Sequence, residues 1–227
     1  MPPKAAADAP PGPRKRPVQP RARATVRAIL DAAAHILERG GEAALNTNGI
    51  AERAGVSIGS LYQYFPGKDA ILGELIREKA EGLADAVEAA ADEDEPGAAL
   101  QRMLGVAAAQ QLGRPRLARA LDAVEERLPV GPLRRAAEER IGAALARTLV
   151  AFGVPAERAP VAATDLFGMV RGLTDTAAAR GLLDGLDARV ASAAFGYLRE
   201  RGRADGADRP ASPLRAAEGD PRDAPLP

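Results

Sequence analysis

The chain has 227 residues, enough for one or two domains and a substantial core. It has no cysteine, which excludes disulfides, thiolate metal sites and a thiol nucleophile. Its 31 basic side chains balance 31 acidic ones, so the distribution of charge along the chain carries more information than the sum.

Alanine, arginine and leucine are the most frequent residues, and few segments alternate as strands do, so an all-α fold is expected. Residues 1–20 are rich in Pro and Ala and hold Arg14, Lys15 and Arg16. This composition cannot bury enough apolar surface to offset chain entropy, and a disordered basic arm is expected. Up to residue 23, Lys4, Arg14, Lys15, Arg16, Arg21 and Arg23 oppose Asp8 alone. Such an arm neutralises phosphates or enters a minor groove; the alternative is a plain solvated tail. The N-terminus is polar rather than a secretory leader, and no apolar run approaches the roughly 20 residues of a membrane span. A cytoplasmic chain with no membrane partner follows as the expectation.

The first helix is expected over 21–39, with Val26, Ile29, Leu30, Ala33, Ile36 and Leu37 as its apolar stripe and Gly40-Gly41 as its stop. His35, the only histidine, falls on the more polar side beside Asp31, Glu38 and Arg39. With no second histidine and no cysteine it reads as a surface residue, and no metal or cofactor is expected.

Residues 46–68 read as two short helices joined by a tight turn. Asn46 or Thr47 caps the first, and Gly55 suits the left-handed position that ends it. Ser57 caps the second, which runs to Tyr64 with Leu61 and Phe65 inward, and Pro66-Gly67 stops it. Ala51 lies four residues before Gly55 and ten before Leu61. A small residue at the crossing, a glycine at the turn and an apolar lock on the second helix are the packing demands of a helix-turn-helix. The head is thus three helices over 21–67.

Ile-Ala-Glu-Arg-Ala-Gly-Val-Ser over 50–57, then Leu-Tyr-Gln-Tyr-Phe over 61–65 and Lys68, closely resembles the DNA-binding signature of the tetracycline-repressor (TetR) family of transcriptional regulators. The resemblance covers about residues 24–80; beyond them it is one of length and helical character. It implies that Thr47, Tyr62, Gln63 and Lys68 contact backbone phosphates and that Ser57, Ile58, Gly59 and Ser60 face the bases. The chemistry is compatible. Thr47 sits at the positive end of a helix. Serine hydroxyls donate or accept, Gly59 permits close approach, and Ile58 can touch a thymine methyl. Tyr64 flanks this set, with a core role for Tyr64 and Phe65 as the alternative. None of these is a bidentate arginine–guanine reader, so DNA shape is expected to contribute to specificity. Gly49 departs from the family, which often has a longer polar residue there.

A larger helical body is expected over 68–201, serving ligand binding and dimerisation, followed by a disordered tail over 202–227. Its first helix, 68–91, carries Leu72, Leu75, Ile76, Lys79, Leu83 and Val87 on one mostly apolar face, and by resemblance links head to body. The acidic run 92–95 with Pro96-Gly97 reads as a solvated loop. Further helices are expected over 98–112, 115–128, 133–152, 160–183 and 186–201. Small residues in the last two suit close approach. The resemblance implies a two-fold, four-helix dimer interface there, through Leu166, Val170, Leu173, Val190, Ala194 and Tyr197; core packing within one chain is the alternative. Met103, Leu104, Phe152, Phe167 and Met169 are apolar candidates for an effector pocket, with Arg171, Thr174 and Asp175 as polar ones.

The function implied is a homodimeric, ligand-responsive regulator, most often a repressor, on a palindromic double-stranded DNA operator, with a small-molecule effector of unknown identity. An enzyme is disfavoured: the one histidine lies in the first helix, cysteine is absent, and the carboxylates scatter over polar faces. A DNA-packaging protein would need little of the long helical body. Within the head, Asp31, Glu38, Glu42 and Glu52 match Arg27, Arg39, Arg53 and Lys68 one for one. DNA affinity must then lean on helix N-termini, hydroxyls, Lys68 and the basic arm upstream. Deleting residues 1–20 is expected to weaken DNA binding and flatten its salt dependence in a gel-shift titration; unchanged affinity would return the burden to the motif.

Overall fold

The computed structural model describes residues 12–13 and 19–203; Arg14, Lys15 and Arg16 of the arm, and the tail beyond 203, lie outside the described residues. The described residues hold nine α-helices: α1 (Pro20–Gly40), α2 (Thr47–Ala54), α3 (Ile58–Tyr64), α4 (Lys68–Ala90), α5 (Pro96–Gly113), α6 (Pro115–Glu125), α7 (Gly131–Ala151), α8 (Ala159–Arg180) and α9 (Leu186–Arg203). A 3-10 turn, Glu42–Ala44, joins α1 to α2, and no strand occurs among the described residues. The all-α expectation holds. No helix among the described residues is long and apolar enough to cross a membrane.

Prolines set several helix starts. Pro20, Pro96, Pro115, Pro132 and Pro160 each sit in a first turn, where the missing N–H has no intrahelical partner to lose. At Pro96 this corrects the sequence reading. The acidic run is not merely a solvated loop, because Glu95 is the N-cap of α5. Its carboxylate accepts from the Gly97 and Ala98 amides at 2.9 and 2.6 Å, placing negative charge where the helix dipole favours it.

Two apolar cores result. The first gathers α1, α2, α3, the first half of α4 and α6 around Ile29, Leu30, Leu37, Ile50, Leu61, Phe65, Ile71 and Ile76. The second gathers the rest of α4 with α5, α7, α8 and α9 around Leu100, Met103, Ile141, Leu149 and Leu166. Helix α4 serves both. Ala70, Ile71, Leu72, Leu75 and Ile76 belong to the first, and Ala84, Val87 and Ala90 to the second. Between them α4 turns ionic: Arg77 pairs with Glu74 and Glu81, and Lys79 reaches across to Asp122 on α6 at 2.6 Å. Helix α6 is the unexpected member of the first core. Leu121, Val124 and Leu128 are buried there, with Leu117 and Ala120 packed against them. The head's core therefore continues past residue 67 into the body's sequence.

The angle between α2 and α3 depends on one backbone conformation. Gly55 has φ 68° and ψ 29°, the left-handed region that costs other L-residues energy. From there the Gly55 amide donates to the Glu52 carbonyl at 3.1 Å and the Val56 amide to the Ala51 carbonyl at 3.0 Å, the paired bonds of a Schellman ending. Val56 is delivered onto the first core. Gly55→Ala is expected to cost about 1–2 kcal/mol, read as an earlier midpoint in urea denaturation; an unmoved midpoint would mean that this turn carries no conformational demand.

Candidate nucleic-acid interface

Helix α3 is short, and its two sides are sharply divided. Leu61 within it and Phe65 just after it are fully buried, which fixes its inner side against α1 and α4. Ile58 and Tyr62 are 39% and 42% exposed, unusual for large apolar side chains on a well-packed head. Ser57, Gly59 and Gln63 are also exposed, and Ser60 is half-buried. Ser57 caps the helix as expected: its hydroxyl accepts from the Ser60 amide at 3.0 Å, and the two serine hydroxyls lie 2.8 Å apart in a mutual hydrogen bond. Tyr64 is half-buried and packs on the first core.

The cap of α2 is Asn46, whose Oδ1 accepts from the Gly49 amide at 2.9 Å. Thr47, next in line, is left with a hydroxyl to use elsewhere. It forms a 3.1 Å hydrogen bond with the Tyr62 hydroxyl of α3. Two hydroxyls far apart in sequence thus meet at the positive end of the α2 dipole. A side chain at Gly49 would meet only Asn46, at an ordinary 3.5 Å; packing does not demand glycine there.

The electrostatics differ from the one-for-one balance of the sequence. Lys68 Nζ lies 3.5 Å from Glu42, so its charge is partly answered. Glu42 also receives Arg127 at 2.6 Å, and Arg127 reaches Asp69 at 3.0 Å. The Asp69 hydrogen bond, with the Glu42 contact, raises the Arg127 pKa above its ordinary value. Glu38 is held by Arg114 at 2.7 Å, and that hydrogen bond lowers its carboxyl below the usual range. Two of the head's four carboxylates are therefore neutralised by arginines from the chain flanking α6. Arg39 and Arg53 make no ion pair among the described residues and are exposed. The head carries more unanswered positive charge than its composition indicates. His35 is half-buried on α1, its pKa lowered by burial and then by Arg53 and Arg39. No cluster suited to a metal ion occurs among the described residues.

In the body, a cavity of about 100 Å³ opens between α4, α5, α6, α7 and α8. Of the pocket candidates, Phe167, Arg171, Thr174 and Asp175 line it. The Thr174 hydroxyl is already committed, donating to the Val170 carbonyl of its own helix at 2.9 Å. Met103 and Leu104 are buried in the second core, around a much smaller void next to Phe167. Phe152 is elsewhere: it tilts against Phe195 with ring centroids 5.9 Å apart, beside a separate depression at the start of α8. Met169 is half-buried and lines none of these spaces. Lys79, Asp122 and Glu125 do line the cavity. The available signal for Lys79 was a lysine inside an apolar stripe. The two acids gave none, since they stand on the polar side of α6.

The proposed dimer residues fall largely inside the chain. Leu166, Val170, Val190 and Ala194 are buried in the second core. Leu173 and Tyr197 are half-buried against it. The Tyr197 hydroxyl donates to Asp165, and Arg201 lies over its ring at 5.0 Å; burial, then the Asp165 bond, pushes the phenol up to about 12. These six residues join α8 to α9 and to the core. The outward faces carry Val161, Thr164, Gly168 and Gly172 on α8 and Ala188 and Ser192 on α9, all exposed.

Residues 29–75 match the sequence model of bacterial regulatory proteins of the tetR family. The fold is similar to that of a Rhodococcus sp. RHA1 protein of unknown function, with 23% identity, a TM-score of 0.65, and 78% of this chain and 94% of that one covered. It is also similar to the fatty acid degradation regulator FadR from Bacillus halodurans, at 20% identity and TM-score 0.64, covering 81% and 99%. A TetR-family transcriptional regulator from Streptomyces coelicolor gives 21% identity and TM-score 0.58, covering 78% and 98%. None of the curated proteins matches the sequence. Asn46→Ala and Ser57→Ala are each expected to cost about 0.5–2 kcal/mol through loss of a helix cap, seen as a lower melting temperature; a melt unchanged in both variants would remove the caps from the account of the head.

Proposed function

We propose, for a chain with a tetR-family head on the fold of TetR-type regulators, that it acts as a homodimeric, ligand-responsive transcriptional regulator, most simply a repressor, on a palindromic operator. The observation that carries this reading is the division of α3. Its buried side is locked by Leu61 and Phe65, and its open side offers Ile58, Gly59, Tyr62 and Gln63, which are exposed among the described residues.

In this reading the N-terminal part of α3 enters the major groove. Ser57, Ile58, Gly59 and Ser60 meet base edges, Ile58 through a thymine methyl. The Thr47–Tyr62 hydroxyl pair takes one phosphate, with Gln63 beside it. Lys68 takes another when it turns from Glu42. Tyr64 supports the helix from behind. The arm with Arg14, Lys15 and Arg16 adds sequence-independent attraction. A second copy docks through the outward faces of α8 and α9, where glycines, alanines and a serine allow close approach, rather than through the residues already buried beneath them. Two-fold symmetry then sets the heads about 34–36 Å apart, one turn of DNA.

The effector occupies the cavity between α4 and α8, and α6 transmits its presence. One side of α6 faces the cavity through Asp122 and Glu125, and the other is buried in the head's core through Leu121 and Val124. Two residues beyond its end, Arg127 grips Glu42 and Asp69 beside Lys68. A shift of α6 therefore acts on the seat of the head. Couplings of this kind amount to roughly 1–3 kcal/mol, or about 5- to 150-fold in affinity.

Tyr62→Phe removes one hydroxyl and keeps the ring. It is expected to weaken operator binding about 3- to 10-fold, the worth of one hydrogen bond, with an unchanged melting temperature. Binding by the unaltered protein should fall steeply as salt rises. Salt-independent binding in a gel-shift titration, or full affinity in Tyr62→Phe, would refute the phosphate assignments.

A further inference from the structure

The cavity's polar end has a charge imbalance that favours one chemical class of ligand. Lys79, Arg134 and Arg171 line it with Asp122, Glu125, Glu138 and Asp175, three cations against four carboxylates. Lys79 lies 2.6 Å from Asp122, Arg134 3.4 Å from Glu138 and Arg171 3.7 Å from Asp175. Glu125 is the most enclosed of the four carboxylates and the farthest from a cation. Its nearest cation is Lys79 at 3.9 Å, beyond hydrogen-bond range, and no hydrogen bond reaches it among the described residues. Only 16% of its side chain is exposed. Burial raises its pKa, with Lys79 only partly opposing the effect. A desolvated carboxylate lacking a close donor is costly, and a bound cation removes that cost.

The rest of the wall is mostly apolar, with Ala80, Leu83, Ala107, Ala137, Ile141 and Phe167; its two other polar side chains, Gln110 and Thr174, already donate to the Lys79 and Val170 carbonyls. About 100 Å³ admits on the order of four to six heavy atoms, judged against the ~150 Å³ cavity that takes benzene. That room suits a compact ammonium with a short hydrocarbon part and is tight for a planar guanidinium with its own chain. Arg134 and Arg171 are each 45% exposed, so an anion held at the enclosed end would have to take Lys79 from Asp122 and sit beside Glu125, where like charge repels it.

We infer that the effector site takes a small aliphatic amine, its ammonium seated on Glu125 and its hydrocarbon part against Leu83, Ile141 and Phe167. This rests on the regulator reading above, which requires an effector in this cavity. The ammonium supplies the donor that Glu125 lacks, while Lys79 stays with Asp122. Because Glu125 is the last residue of α6, the amine draws on the helix that seats the head.

The test is thermal melting of the full chain with linear alkylamines from propylamine to hexylamine, each paired with the carboxylate and the alcohol of equal length. At least one amine is expected to raise the melting temperature saturably, and the carboxylates and alcohols are not. Glu125→Gln keeps shape and removes charge; it should weaken amine binding at least about tenfold, the scale of a hydrogen bond to a charged group. Glu125→Asp, which withdraws the carboxylate but keeps the charge, should weaken it less. An amine effect unchanged in both variants, stabilisation by a carboxylate in place of the amine, or no effect across the whole amine series would overturn the inference. DNA fragments selected by the protein from a random pool separate the two readings. DNA binding without amine binding sinks the amine site alone. Amine binding that depends on Glu125, with no DNA selected, upholds the site and sinks the regulator.

Discussion

The burial of Leu121 and Val124 in the same core as Ile29, Leu30 and Phe65 ties this molecule together. Each such side chain contributes roughly 1.5–3 kcal/mol on leaving water, so α6 cannot separate from the head without a large loss. A helix held this firmly on one side has little freedom to answer a change on its other side by local adjustment. What disturbs Asp122 or Glu125 has to be absorbed by displacement of the helix or transmitted along it. The middle of α4, where Arg77 and Lys79 replace apolar residues, is the matching soft place: neither core extends across it. The cavity lies at this seam, where two well-packed cores adjoin.

The same arrangement redistributes charge. By composition the head is neutral, yet Arg114 and Arg127 cross from the α6 region to claim Glu38 and Glu42. These pairs are exposed, and their contribution to stability is small in water. Their larger effect is on the field of the head, which keeps Arg39 and Arg53 without carboxylate partners among the described residues. Electrostatic steering toward a polyanion depends on that field rather than on the sum of charges.

Much of the head was legible in the sequence, because local chemistry decides its shape. Asn46, Gly55, Ser57 and Pro66 act within a few residues of where they stand, and the stripe from Val26 to Leu37 needs only helical periodicity to be read. The acidic run before α5 hides a cap at Glu95, because a cap depends on which residue starts the helix, and a loop reading of Pro96-Gly97 places that start too late. Long-range facts were beyond reach. Nothing in the sequence of α6 announces that its apolar side belongs to the head. Nothing pairs Thr47 with Tyr62 except the angle between two helices. The residues expected at a dimer seam show a related limit: a stripe of buried spacing on α8 or α9 looks the same whether it is covered by the chain itself or by a second copy, and Leu166, Val170, Val190 and Ala194 are buried in the second core of the single chain.

The open side of α3 carries a consequence for how such a protein diversifies. Ser57, Ile58 and Gly59 are exposed, and an added Cβ at Gly59 would come no closer than 3.8 Å to any neighbour, the Ser57 hydroxyl. The residues that hold α3 in place, Leu61 and Phe65, are different ones on the opposite side. Apart from Ser57, whose hydroxyl caps the helix, substitutions on the open side change its chemistry while leaving the packing untouched. Two gene duplicates could therefore diverge in the chemistry of this side through single replacements, with no compensating change elsewhere in the fold.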